Sequence, residues 1–169
     1  FTGDSGSTEP SDGSRRWGVE MDLFKRLSTK WAADISASFV KSRFVGVPES
    51  SNHIPNAKGR VIGAGITWAD ENGSLSARIR HFGDAALIED NTISNPPTTL
   101  LNAKYERGFK NYVIGLEILN IFDSKDYDVA YFFESQTSPS ANPTEDVHFH
   151  PVLPRTYRLT VSYEPWGIL

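Results

Sequence analysis

Hydrophobic and polar residues alternate along most of this chain with a period of two. In the first run, Trp17, Val19 and Met21 lie on one side of the pattern and Glu20 and Asp22 on the other. Six further runs alternate in the same way, beginning at Trp31, Ile62, Leu75, Leu101, Tyr112 and Tyr157. A period of two is that of a β-strand with one apolar face, and no sustained helical stripe is present. The pattern therefore predicts an all-β fold, an antiparallel up-and-down meander of about seven strands.

The connections between the predicted strands alternate in length. Short turns are predicted at Ser28–Lys30, Asp70–Gly73 and Gly108–Asn111, where Ser, Asp, Asn and Gly favour tight reversals. Long polar loops are predicted at three other places: Gly46–Gly59, Gly83–Thr98 and Ser135–Pro154. Such sorting is typical of a transmembrane β-barrel, which has short turns at one rim and long loops at the other. A soluble β-sandwich carries connections of mixed length at both ends.

Aromatic residues stand at the ends of several predicted apolar faces. They are Trp17, Trp31, Trp68, Tyr105, Tyr112, Tyr157 and Tyr163. Amphipathic rings at strand ends favour the interfacial girdles of a membrane barrel. We therefore expect the apolar residues to form one outer face, whose members include Leu159, Val161, Leu116, Ile118, Ile35 and Ile66. In a sandwich the same side chains would converge on a closed core.

Composition narrows the class of protein further. The 169 residues carry 17 Lys and Arg against 21 Asp and Glu, so the net charge of −4 lacks the basic footprint of a nucleic-acid binder. There is no cysteine, which excludes disulfides, a thiolate nucleophile and cysteine-based metal sites. We expect no metal site, no cofactor and no nucleic-acid partner. Because the chain begins at Phe1 and its single methionine is Met21, we expect it to be an internal or processed segment.

The C-terminal third carries more specific motifs. From Leu101 to Asp123 the chain contains a strand, a tight turn and a second strand that ends in Asn120-Ile121-Phe122-Asp123. Other motifs flank this hairpin: Asn52–Lys58, Tyr131–Ser135, His148–Arg155 and the closing strand Arg155–Tyr163. Together they resemble the C-terminal part of the barrel of TonB-dependent outer-membrane receptors. The resemblance extends from about Arg15 to Glu164.

The resemblance implies a fold, a function and partners. About seven strands would be part of a transmembrane barrel of roughly 22 strands. The receptor would lie in the outer membrane of a Gram-negative bacterium and import a scarce solute, such as a siderophore, metal chelate, cofactor or oligosaccharide. Its implied partners are the TonB complex, the plug domain of the same receptor, membrane lipid and a small-molecule ligand. The plug and the TonB-contacting segment would precede Phe1.

The same resemblance divides the chain into three parts. Residues 1–14 are expected to form a flexible extracellular loop or a trimmed edge, since they are rich in Gly, Ser, Asp and Pro. Residues 15–164 are the barrel portion. Residues 165–169 are a tail, because Pro165 ends the hydrogen-bonded ladder.

Several charged residues would face the barrel lumen if the apolar side chains face lipid. They are Arg78, Lys104, Glu106, Glu117 and Arg158. Pairing with each other or with the plug is the simplest role for them. Ligand steering by Arg78 and Arg80 is the alternative.

Two histidines suggest where a ligand binds. His148 and His150 are two residues apart on an extended segment, so their side chains point the same way, near Tyr131 and Phe132. Such a group could hold a metal chelate or stack on a planar or sugar ligand. Two imidazoles alone are an incomplete metal site, and the alternative is that they only shape the loop. A polar rim is predicted to complete the site: Arg80, His81 and Asp84.

Three classes of function remain open. An energised uptake receptor is favoured by Asn120–Asp123 and the last long loop. A passive porin-like channel has the same barrel without a plug, and a soluble β-sandwich binding module is the third class. No catalytic residues are expected, because the carboxylate pairs Glu20/Asp22 and Glu145/Asp146 lack any feature that would tune one carboxyl group against the other.

Overall fold

The computed structural model describes residues 13–136, 138, 140 and 142–163. Within this part the chain forms one 3-10 helix, Glu49–Ser51, and a series of strands. The strands are β1 (Ser14–Arg26), β2 (Trp31–Phe44), β3 (Arg60–Asp70), β4 (Gly73–Phe82), β5 (Ala85–Ala86), β6 (Ser94–Asn95), β7 (Thr98–Phe109), β8 (Tyr112–Leu119), β9 (Tyr127–Ser135), β10 (Thr144–Pro151) and β11 (Thr156–Tyr163). Nearly all of the predicted 1–14 segment and the whole 165–169 tail lie outside the described residues. No helix in the described ranges is long and apolar enough to cross a membrane.

Seven of the strands form one antiparallel sheet. Its order is β1-β2-β3-β4-β7-β8-β11, and each neighbouring pair is antiparallel. The predicted all-β meander of about seven strands is therefore confirmed. Strands β1 and β11 are the two edges of this sheet, so the sheet is open as it stands.

The pairing register confirms that the apolar residues share one face. Across the sheet, Ile35 is opposite Leu23 and Ala64, and Leu116 is opposite Leu159 and Tyr105. Many of these side chains are exposed, with Leu159 at 70% and Trp17 at 64%. In the described residues no second layer covers this face. The apolar side chains therefore do not converge on a closed core, as they would in the alternative β-sandwich.

The predicted alternation of short and long connections is confirmed. Short turns join β1 to β2, β3 to β4 and β7 to β8, whereas long connections join β2 to β3, β4 to β7 and β8 to β11. In an antiparallel sheet successive connections lie at opposite ends, so all the short turns form one rim and the long connections the other. We call these the short-turn rim and the long-loop rim.

The long connections are more regular than the sequence predicted. Strands β5 and β6 form a small pair within the predicted Gly83–Thr98 loop, and β9 pairs with β10 across the predicted Ser135–Pro154 loop. The last connection also begins at Asn120 rather than at Ser135. The prediction of a loop over the whole of Ser135–Pro154 was wrong, because Val147 and Phe149 favour extended backbone and pair with residues of β9.

Most of the buried apolar side chains lie at the long-loop rim. Ile54, Ala85, Leu87, Ala130 and Val152 are all buried, and each belongs to one of the three long connections. The connections are also hydrogen-bonded to one another, for example through the backbone N–H of Asn56 and the carbonyl of Ala86 at 2.8 Å. The rim is thus a packed cap on one end of the sheet, held by burial of apolar groups.

Candidate ligand-binding site at the long-loop rim

Asn120 fixes the point at which the chain leaves β8 for the rim. Its backbone is left-handed, with φ at 50°, which asparagine tolerates better than most residues. The buried amide donates to the carbonyl oxygens of Ser124 at 3.1 Å and Leu153 at 2.9 Å, and accepts from the Ser124 N–H at 3.0 Å. The Asn120 N–H donates to Asn102 Oδ1 at 2.9 Å. One side chain therefore joins both ends of the last long connection.

Asp123 fastens the start of β11 to the same corner. Its carboxylate accepts from the Arg155 N–H at 3.0 Å and from Lys125 Nζ at 2.9 Å. The hydrogen bond from the Arg155 backbone, aided by Lys125, holds the pKa of Asp123 below its usual range. The motif Asn120-Ile121-Phe122-Asp123 thus has a structural role in this chain.

A cavity of about 350 Å³ lies beside this corner, on the polar side of the sheet. Its polar lining comes from Arg80 on β4, Asn102 on β7, Asn120 at the end of β8, Asp128 on β9 and His150 on β10. Its apolar lining is Leu100, Leu119, Pro151, Val152 and Leu153. Apolar walls with a few convergent polar groups are typical of small-molecule sites.

Some of the charged groups around this cavity have no ion-pair partner in the described residues. Arg80 forms no ion pair with any carboxylate of the described residues, whereas His150 Nδ1 lies 3.7 Å from Asp128 Oδ2. Nearby, the Lys58 ammonium is buried without a hydrogen-bond partner. Desolvation lowers the pKa of Lys58, against the opposing influence of Asp128 and then Asp84. The cavity therefore offers an unpaired guanidinium to an anion.

The hairpin β9–β10 carries the other predicted aromatic and histidine residues. His148 is directly opposite Tyr131, and its ring stacks on Phe133 with centroids 3.9 Å apart. His148 Nε2 is buried without a hydrogen-bond partner, while Tyr131 is exposed. Phe132 is opposite Val147 and so lies on the other face of the hairpin.

The structure does not bring together the predicted polar rim. His81 follows Arg80 on β4 and therefore faces the apolar side, where its Nδ1 is 2.9 Å from Thr99 Oγ1. Asp84 lines a different cavity, of about 300 Å³, with Lys41 and His53 among its neighbours. Of the three residues, Arg80 alone lines the cavity next to His150.

The charged residues predicted to face the lumen all lie on the polar face of the sheet. Arg78 contacts both carboxylate oxygens of Asp34 at 2.7 Å, Lys104 is 2.9 Å from Glu106, and Arg158 is 2.8 Å from Glu117. These charged residues therefore form ion pairs on the polar face of the sheet, which is the simplest role expected for them. The Asp34–Arg78 pair crosses over β3 at Gly65, where a Cβ atom would come within 2.7 Å of both side chains.

Sequence reasoning missed two residues that line the cavity, Asn102 and Asp128, although Asn102 belongs to the polar side of a predicted strand. It also did not single out Asp34, the partner of Arg78 in the wall. Lys58 lies in the Asn52–Lys58 motif, but nothing in the sequence indicates that its ammonium is buried. In the described part of the chain, no group of three or more His, Asp or Glu residues is arranged to hold a metal ion.

Several solved structures share the fold of this chain. The ferric yersiniabactin uptake receptor FyuA from Yersinia pestis is 19% identical, with a TM-score of 0.66 over 88% of this chain. The ferric-catecholate import receptor Fiu from Escherichia coli K12 is 18% identical, with a TM-score of 0.68 over 95%. The siderophore receptor PiuA from Acinetobacter baumannii is 18% identical, with a TM-score of 0.66 over 89%. No protein-family model matches, and neither does any curated protein.

The fold is therefore that of part of an outer-membrane receptor β-barrel. The resemblance to TonB-dependent receptors indicated by the sequence is confirmed at the level of the fold. The chain spans 22–23% of the length of these receptors, so the seven-stranded sheet corresponds to a portion of a larger transmembrane barrel.

Proposed function

We propose that this chain forms the C-terminal part of the barrel of a TonB-dependent outer-membrane receptor that imports a scarce solute. The observation that carries the proposal is the agreement in fold, over 88–95% of this chain, with receptors named for siderophore or ferric-chelate uptake. A plug domain and the contact with the TonB complex belong to the rest of the protein under this proposal. The host is a Gram-negative bacterium and the site of action its outer membrane.

An anionic chelate is the class of solute that the cavity at the long-loop rim fits best. Arg80 has no carboxylate partner among the described residues, and a guanidinium in a partly enclosed site attracts carboxylates and phenolates. Asn102, on the strand next to that of Arg80, and His150, on the hairpin, add hydrogen-bonding groups. The apolar lining and the exposed ring of Tyr131 suit the carbon skeleton of an organic chelator.

Not every residue of the predicted site belongs to this proposal. His148 and Tyr131 lie on the same face of the hairpin as His150 and extend the surface beside the cavity. Phe132 and His81 face away from it, and Asp84 lines another cavity. The proposed ligand contacts are therefore Arg80, Asn102 and His150, with Tyr131 and His148 at the margin.

A passive porin-like channel is the alternative that the same barrel allows. The two functions differ in energy coupling, because a passive pore needs no partner in the inner membrane. The test is uptake of radiolabelled ferric chelates of the catecholate, hydroxamate and phenolate classes by cells whose sole chelate receptor is the intact protein. Saturable uptake that stops when TonB is deleted supports the proposal. Uptake that continues without TonB supports the channel.

The ligand site is tested by single substitutions in the intact protein. We expect Arg80→Gln to weaken chelate binding about tenfold, since a charge-assisted hydrogen bond contributes about 1.5–3 kcal/mol. His150→Ala should weaken it by a smaller factor. Arg158→Gln is the matched control, because it removes the same charge from the same face but breaks only the pair with Glu117. Unchanged affinity in Arg80→Gln, His148→Ala and His150→Ala would place the ligand elsewhere in the receptor.

A further inference from the structure

The apolar face of the sheet ends in a group of cations at the long-loop rim. Four basic residues continue the apolar rows of β1, β2 and β3: Arg15, Lys41, Arg43 and Arg60. The register sets Arg15 opposite Arg43, Lys41 opposite Trp17, and Arg60 opposite Phe39, so all four share the face of these exposed rings. We call these four residues the outer basic cluster.

The positive charge of the outer basic cluster is not compensated locally. None of its members forms an ion pair with a carboxylate in the part of the chain that the structure describes. Arg15, Lys41 and Arg60 are exposed, and Arg43 Nη1 donates to the Ser42 carbonyl at 2.9 Å. By contrast, Arg107 near the short-turn rim lies 3.8 Å from Asp70. Like charges side by side repel each other, so the cluster favours an external anion.

Space for an anionic group lies next to the cluster. The cavity of about 300 Å³ is lined by Lys41 and Arg43 together with His53 and Asn91, all potential hydrogen-bond donors. Asp84 also lines the cavity, and its carboxylate would repel an incoming anion. The donors Lys41, Arg43 and His53 outnumber this single carboxylate.

The height of the cluster on the sheet matches a membrane surface. Along β2, the exposed ring of Trp31 and the ammonium-bearing Lys41 are separated by ten residue steps. Ten steps of a strand cover about 33 Å, which corresponds to about 25 Å of height at a barrel tilt of about 40°. The apolar band of an outer-membrane barrel is about 25 Å tall. With Trp31 at one interface, the outer basic cluster therefore lies at the other.

We propose that the outer basic cluster binds the phosphate groups of an anionic lipid in the outer leaflet of the membrane. The inference rests on the proposed outer-membrane location but not on transport. Lipid is the occupant because the cations share a face with Trp17 and Phe39, which would contact acyl chains, whereas the solute cavity with Arg80 opens on the opposite face.

The test uses the intact protein purified in detergent, with no transport measurement. The probe is lipid A, a glycolipid with two phosphate groups, and binding is measured by native mass spectrometry. We expect the triple variant Arg15→Gln, Lys41→Gln, Arg60→Gln to bind it at least about tenfold more weakly, since it removes three cations that attract anionic lipid at the membrane surface. The control Lys25→Gln, Lys30→Gln, Lys110→Gln removes three charges near the other rim and should bind as the unmodified protein does.

Three results would overturn the proposal. Equal binding by the two triple variants would mean that the outer basic cluster is not the site. Equal binding of dephosphorylated lipid A would mean that phosphate is not recognised. Displacement of the lipid by millimolar inorganic phosphate would identify a site for free anions instead. Failure of chelate uptake in cells would leave all these measurements unaffected.

Discussion

At Asn120 the backbone leaves β8 in a left-handed conformation, and one buried amide bonds to both ends of a long connection. The sequence marked Asn120-Ile121-Phe122-Asp123 as a family motif, and the structure gives its physical basis. Position 120 requires a left-handed backbone and a side chain with both a hydrogen-bond donor and an acceptor, and asparagine satisfies both requirements.

Substitution at Asn120 separates the two requirements. We expect Asn120→Gly to lower the free energy of unfolding by about 2 kcal/mol, because the backbone remains unstrained but the buried hydrogen bonds are lost. Asn120→Ala should lower it by about 1 kcal/mol more, since a Cβ atom is strained at this φ. Asn91→Gly is the control, as Asn91 has φ at 58° but is exposed. Thermal unfolding of the intact protein in detergent measures all three, and equal effects at positions 91 and 120 would contradict the account.

The lowered pKa of Asp123 predicts that the stability of the fold depends on pH. Because the folded state lowers the pKa of Asp123, the ionised carboxylate stabilises the fold above its ordinary pKa of 3.8, and this contribution disappears as the pH falls through the lowered value. Asp123→Asn should therefore unfold at a lower temperature than the unmodified protein at pH 7, with the difference shrinking below about pH 4. Glu71→Gln, exposed on the short-turn rim, is the control. A difference that stays constant with pH would show that the carboxylate charge is unimportant.

At the scale of elements, β3 separates two charged side chains that nevertheless meet. Asp34 on β2 reaches Arg78 on β4 because Gly65 leaves the surface of β3 open between them. The same face carries Gly115, where an added Cβ would meet Thr160 at 3.6 Å, an ordinary contact. The two glycines thus differ in what a methyl group would displace.

This difference leads to a paired prediction. Gly65→Ala should destabilise the sheet by about 1 kcal/mol more than Gly115→Ala, because it displaces a partly exposed ion pair in addition to its steric effect. In the background of Asp34→Asn the excess should largely vanish, as a double-mutant cycle measures. Thermal unfolding in detergent gives each value. A persistent excess in that background would attribute it to sterics alone.

At the scale of the whole molecule, the described residues form one main sheet of seven strands whose apolar face has no protein covering. Such a layer is stable only against lipid or a further protein layer, because its exposed rings and aliphatic groups cost free energy in water. The edges β1 and β11 likewise need partner strands, since unpaired backbone groups in lipid cost several kcal/mol. We therefore expect the segment alone not to transport.

A substitution on each face tests this arrangement. Leu159→Arg should impair assembly of the intact protein, since a lipid-facing arginine costs up to about 2–4 kcal/mol. Thr160→Arg, one residue further and on the polar face, should be tolerated. The fraction of heat-modifiable, folded protein in outer membranes measures both. Comparable losses at the two positions would contradict the assignment of the apolar face to lipid.

The sequence by itself determined the strands, the face of each residue and the alternation of the connections. These follow from period two and from turn chemistry, which act between residues close in the chain, as at Asp70–Gly73. It also identified His148 and His150 as neighbours on one face of an extended segment, because that too is a local property.

Only the tertiary structure decided which of these residues meet across the molecule. Arg80 and His150 line one cavity because the connection from β8 to β11 folds as a hairpin over the end of β4, a packing of segments 70 residues apart. The same packing buries the Lys58 ammonium without a hydrogen-bond partner. Local periodicity contains no information about such approaches, because they depend on how three long connections pack together on one rim.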